Sequence, residues 1–98
     1  MKDNTSQTHL KAFNLNHHVW VKIKEEGYLH MKSIDDSFLP KEFQKPISFY
    51  RGRADDEGYT RFQMWEFMRT FGSTLSMGSQ LLINPTIIFD ESDFTPIN

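Results

Sequence analysis

Apolar and polar residues alternate from His18 to Lys24, with Val19, Val21 and Ile23 on one side and His18, Trp20, Lys22 and Lys24 on the other. That two-residue period predicts a half-buried strand, its aliphatic side toward a core and Trp20 on the opposite side among polar neighbours. The period then changes. In "EEGYLHMKSIDDSF", Tyr28, Met31, Ile34 and Phe38 recur on one side of a helix, with Leu29 beside them. Glu25 and Glu26 suit the positive end of its dipole, Gly27 is a weak helix former, and Pro40 marks the far limit. After the loop "LPKEFQKP", the stretch "ISFYRGR" reads as a short edge strand weakened by Gly52, and "ADDEG" as a turn.

The segment "GYTRFQMWEFMRTFG" holds about a third of the chain's aromatic residues. It reads as a second helix, with Thr60 as N-cap, Gln63 completing a capping box and Gly72 as the stop. Met64, Trp65, Phe67, Met68 and Phe71 share one broad face, which predicts that Trp65 and Phe67 are buried. Phe62 falls on the polar side with Glu66 and Arg69 and does not fit that face. A polar connection follows, then a last strand over residues 86–89, whose consecutive Ile87, Ile88 and Phe89 predict burial on both faces and a central position. Pro85 lacks the donor a ladder needs and so precedes the regular strand. These elements predict an α+β fold: a small two-layer domain in the order β-α-β-α-β, with two helices packed on a short sheet. Residues 13–94 form the single domain, flanked by tails over 1–12 and 95–98.

Composition narrows the classes of function. A chain of 98 residues fits one domain with a thin core, and its nine Phe supply much buried area per residue. A homodimer would bury more, so self-association is among the expectations. The chain has no Cys, which excludes disulfides and thiolate metal sites and suits a reducing compartment. A formal net charge of −2, with both signs interleaved, argues against a nucleic-acid partner. No apolar run approaches the roughly 20 residues that span a bilayer, and no apolar signal core opens the chain, so neither membrane insertion nor export is expected.

No reaction centre emerges from the candidate groups. His17 and His18 are adjacent on a strand and point to opposite sides, and no pair among His9, His17, His18 and His30 has zinc-site spacing. The acidic groups at Asp35-Asp36, Asp55-Asp56-Glu57 and Asp90-Glu91 with Asp93 lack the alternating spacing of a calcium loop. "TLSMG" misses the nucleophile elbow, because Thr74 stands where Gly is needed and a helix precedes it. Gly72-Ser73 sits at the negative end of a helix, which repels phosphate. No metal, cofactor or catalysis is therefore expected. The residues with interface chemistry are Arg51 and Arg53, flanking Gly52 beside Tyr50, and the off-core aromatics Trp20 and Phe62 with Lys22 and Arg69 at their rims. The rival readings are a charge-protected edge strand for the arginines, Trp20 packed under a helix or the tail, and Phe62 closed over the turn at residues 55–58.

The stretches "FNLNHHVWVKIKEEG" and "DDEGYTRFQMWEFMRTFG", then Gly78 and a closing "PTIIF", resemble a group of small phage- and prophage-encoded proteins of unassigned function. The resemblance spans residues 13–89 and departs at Lys24-Glu25 and over residues 32–53. It implies a phage product acting in the cytoplasm of a bacterial host and brings no catalytic residues with it. The leading expectation is a non-enzymatic binding protein that inhibits or modulates a host protein, with a role against host defence among the possibilities. The alternatives are a binder of a nucleotide-like anion through Arg51, Arg53 and an aromatic such as Tyr50 or Trp20, and a winged-helix DNA binder.

Overall fold

A computed structural model describes residues 9–76 and 80–97 of the chain. The fold is mixed α+β, with the helices gathered on one face of a three-stranded antiparallel sheet. The sheet strands are β2 (His18–Ile23), β3 (Tyr59–Gln63) and β4 (Ile83–Phe89), in the order β3-β2-β4. A second sheet of two short strands, β1 (Lys11–Phe13) and β5 (Phe94–Pro96), joins the chain's two ends. Residues 11–12 and 95–96, expected within tails, are thus paired strands. Residues 77–79 lie outside the described residues, and with them Gly78 of the resemblance and the last part of "TLSMG".

The alternation in β2 does what its period requires. Val19, Val21 and Ile23 are buried, while Trp20 is half-buried and Lys22 exposed on the other side. Helix α1 (Glu25–Asp36) buries Tyr28 and Met31 and leaves Leu29 and Phe38 exposed. Phe38, at 81% exposure, lies beyond the helix end and off its core face.

Two elements differ from the sequence expectation. Residues 47–53 are not a strand. Ile47–Arg51 forms the short helix α2, entered through Pro46 and closed at Gly52, whose N–H donates to the Ser48 carbonyl oxygen at 2.9 Å. Ile47 and Tyr50 lie one helical turn apart and both pack on the core. The missing middle strand is instead residues 59–63, the expected helix start. Tyr59 to Gln63 read half-buried, buried, exposed, buried, half-buried, the period of a strand. Thr60 therefore caps nothing: it pairs with Val21, and its buried hydroxyl has no hydrogen-bond partner among the described residues. Gln63 is the N-cap residue of helix α3 (Met64–Phe71).

The strand β3 settles Phe62, which was expected at a partner surface. It is 1% exposed, packed between Phe67 and Phe71 with ring centroids 6.0 and 6.1 Å away. Trp65, expected in the core, is 40% exposed and donates its indole N–H to the Gln63 side-chain oxygen at 3.1 Å. Starting α3 three residues later leaves Phe67 and Phe71 as its buried face, with Trp65 and Met68 outward.

Strand β4 is an edge, not the centre. Ile88 and Phe89 are 38% and 39% exposed, so their apolar run does not reflect burial on both faces. The edge position is what lets Pro85 lie inside the strand, and the β2–β4 register shifts between Val21 and Ile23, opposite that stretch.

Candidate functional site: the outer face of the sheet

With the helices on one side, the other side of the sheet carries exposed and half-buried side chains. Register places them. Trp20 lies opposite Ile88 on β4 and opposite Arg61 on β3, and Lys22 lies opposite Tyr59. Trp20, Lys22, Tyr59, Arg61 and Ile88 thus share one face, since side chains alternate along each strand. The Lys22 ammonium stands 4.9 Å over the Tyr59 ring centroid. The Arg61 guanidinium reaches the His18 ring at 3.2 Å.

A groove of about 350 Å³ opens on this side, lined by Trp20, Tyr59, Ile88 and Phe89 with Asp55, Glu57 and Asp90. The loop before β3 puts two of those carboxylates there. Asp55 Oδ1 accepts from the N–H groups of Glu57 and Tyr59, both at 2.9 Å, and Gly58 takes the positive φ of 90° that closes the turn. Asp90 is fixed similarly at the end of β4. Its Oδ1 accepts from the Ser92 hydroxyl at 2.7 Å and N–H at 2.9 Å, which hold its carboxyl below the usual range, with His17 adding a smaller effect. The Glu57 carboxylate makes no hydrogen bond or ion pair among the described residues. Phe89 is also held from behind, 5.1 Å from Phe13 and 5.6 Å from Phe94, where His17 pairs with Asp93 at 3.0 Å.

The other interface candidates are dispersed. Tyr50 is 1% exposed; its hydroxyl donates to Asp35 at 2.9 Å, and burial, then that bond, pushes its pKa up to about 12. It is a core residue, not a contact residue. Arg51 forms a two-pronged pair with Glu25, Nε to Oε1 at 3.1 Å and Nη2 to Oε2, which lowers the Glu25 pKa and raises that of Arg51. Arg53 lies over the Phe62 ring at 5.1 Å and 3.9 Å from Glu66. Arg69 stacks at 5.1 Å on Trp65 and borders a second cavity, of about 280 Å³, with Ile34, Asp35, Phe38 and Thr70. The structure thus groups Trp20 and Lys22 on one face and separates Tyr50, Arg51, Arg53, Phe62 and Arg69 from it.

The lining residues Asp55, Glu57, Tyr59, Ile88, Phe89 and Asp90 were not recognisable as one site from the sequence. Their signal was indirect: an aromatic on the polar side of β2, with acidic residues at element ends. A further apolar patch, Phe38, Leu39, Phe43 and Phe49, is exposed along and beside the α1–α2 connection. Among the described residues no group of three or more His, Cys, Asp or Glu is placed to hold a metal ion, and no helix is long and apolar enough to cross a membrane. Comparison of the chain with protein-family models, curated proteins and solved structures found no match.

Proposed function

We propose that this is a non-enzymatic binding protein that engages a protein partner through the outer face of its sheet. One observation carries the reading: Trp20, Tyr59 and Ile88 share a grooved face that the helices do not cover. Aromatic side chains in a recess supply the anchoring that dominates interface energy. The resemblance to phage-encoded proteins names the proteome to search, that of a bacterial host, where such a partner would be inhibited or modulated. The anion-binding alternative draws less support, because Arg51 and Arg53 are each paired with a carboxylate. A winged-helix reading draws little, because α3 holds one cation, Arg69, already stacked on Trp65.

The test compares three immobilised forms in a bacterial lysate: the parent chain, Ile88→Glu, and Phe43→Ser in the distant patch. A host protein retained by the parent and by Phe43→Ser but lost by Ile88→Glu, with all three folded by circular dichroism, is the expected result. Loss through Phe43→Ser alone would move the interface to the α1–α2 connection.

A further inference from the structure

The groove's lining has a definite chemistry. Its floor is apolar and aromatic, from Trp20, Tyr59 and Ile88, and its carboxylates are Asp55, Glu57 and Asp90, with no cation among the lining residues. Lys22 and Arg61 flank it on the same face and keep their charges, so the three lining carboxylates exceed these two cations by one. Arg61 lies against the His18 ring and Lys22 over the Tyr59 ring. That last contact also displays what the surface accepts: an ammonium over an aromatic ring.

We infer that the groove takes a basic-apolar segment of the partner protein, in which arginine or lysine alternates with aliphatic residues. This rests on the reading of the outer face as a docking surface and names what docks there. An aliphatic side chain would cover Ile88 and the edge of Trp20. A guanidinium or ammonium beside it would meet the Trp20 face and the carboxylates of Glu57 and Asp90, which Asp55 and Ser92 hold in place through the two turns. Charge of this arrangement steers encounter and sets the choice of partner, while the aromatic floor supplies residence. An acidic segment would meet three carboxylates across a half-apolar groove and is disfavoured.

Three peptides of about eight residues test it, alternating Leu with Arg, Gln or Glu; this length spans a strand of the sheet. Each is titrated into ¹⁵N-labelled protein. The expected result is saturable shifts of the Trp20 indole N–H and of β2, β3 and β4 amides with the Arg–Leu peptide, weakened as salt rises from about 50 to 300 mM. Glu57→Gln should weaken that binding about fivefold, the size of one partly screened ion pair, without altering the free protein's spectrum beyond the turn. Equal binding of the Gln–Leu peptide, or better binding of the Glu–Leu peptide, overturns the basic occupant while leaving the docking face intact. Shifts at Trp20 with none of the three, or shifts of the same residues on concentrating the protein alone, overturn it too; the latter gives the face to a second copy. The reading of the face itself fails separately, by retention of the lysate partner in Ile88→Glu.

Discussion

Phe62 and Trp65 exchange the roles their sequence context suggests, and each can be tested at the level of one side chain. Phe62 is enclosed by Phe67 and Phe71, whereas Trp65 is 40% exposed. Phe62→Ala should cost about 3–5 kcal/mol, enough to unfold much of a marginal small domain. Trp65→Ala should cost about 1 kcal/mol, because its ring loses the Arg69 stack and the Gln63 hydrogen bond but little enclosed area. Urea melts would rank them; the reverse order would place the helix start back at Thr60. Tyr50 offers a second test. Burial and the bond to Asp35 raise its folded pKa to about 12 from the ordinary 10.0. The neutral phenol is therefore favoured in the folded state, so this stability is complete below about pH 10 and is lost as pH rises from there toward 12. Tyr50→Phe should cost about 1–2 kcal/mol at pH 7 through the lost bond to Asp35 and flatten the alkaline fall in melting temperature. An unchanged alkaline slope would show that Tyr50 is not its source.

Elements were legible where one period ran without competition. The alternation of β2 and the helical repeat of α1 through Met31 fold as read, because each had a single consistent amphipathic solution, while Phe38, read on the same side, falls beyond the helix end. Residues 59–63 offered two. Thr60 and Gln63 match a capping box, yet Thr60 and Phe62 also alternate as a strand, and burying Phe62 decides for the strand. Phe62's misfit on the helical face was the available sign. The five residues of α2 were too few for either period to register, and β4 read as central because exposed and buried apolar residues are chemically alike. The groove was illegible for a further reason. It depends on the β2–β3 and β2–β4 registers, which set Trp20 beside Ile88 and Lys22 beside Tyr59, and no local pattern encodes them. Gly27 shows the same limit. Local propensity makes it a flaw in α1, but a Cβ there would overlap the Leu82 carbonyl oxygen and Ile23 Cγ2. Gly27→Ala should therefore destabilise by about 1–3 kcal/mol despite its better helix propensity. A thermal melt equal to or above the parent's would show that the α1–β4 approach is looser than this.

At the scale of the molecule, the β1–β5 sheet and the proposed binding face are mechanically linked. β1 and β5 pair Lys11 with Pro96 and Phe13 with Phe94, and the ring centroids of Phe13, Phe89 and Phe94 lie 5.1 to 5.6 Å apart, Phe13 edge-on to Phe89 and the other two pairs tilted. Phe89 belongs to this cluster and to the groove lining at once, and Asp90 follows it directly. Phe13 and Phe94, at the two limits of the expected domain, thus support one wall of the groove, within strands that extend into residues 11–12 and 95–96 of the expected tails. A chain ending at residue 93 keeps the three-stranded sheet and its helices, whose cohesion comes from Val19, Val21, Phe62, Phe67 and Phe71. It loses β5 and the half-buried Phe94, worth about 1 kcal/mol of burial, and should melt about 4–8 °C lower while still unfolding cooperatively. The functional consequence should be larger than the thermal one. With Phe89 freed on one side, the groove must be ordered on binding, and affinity for the Arg–Leu peptide should fall by more than the Glu57→Gln change produces. A truncated chain that melts lower but binds the peptide as the parent does would separate the end sheet from the site and leave it a stabilising clasp alone.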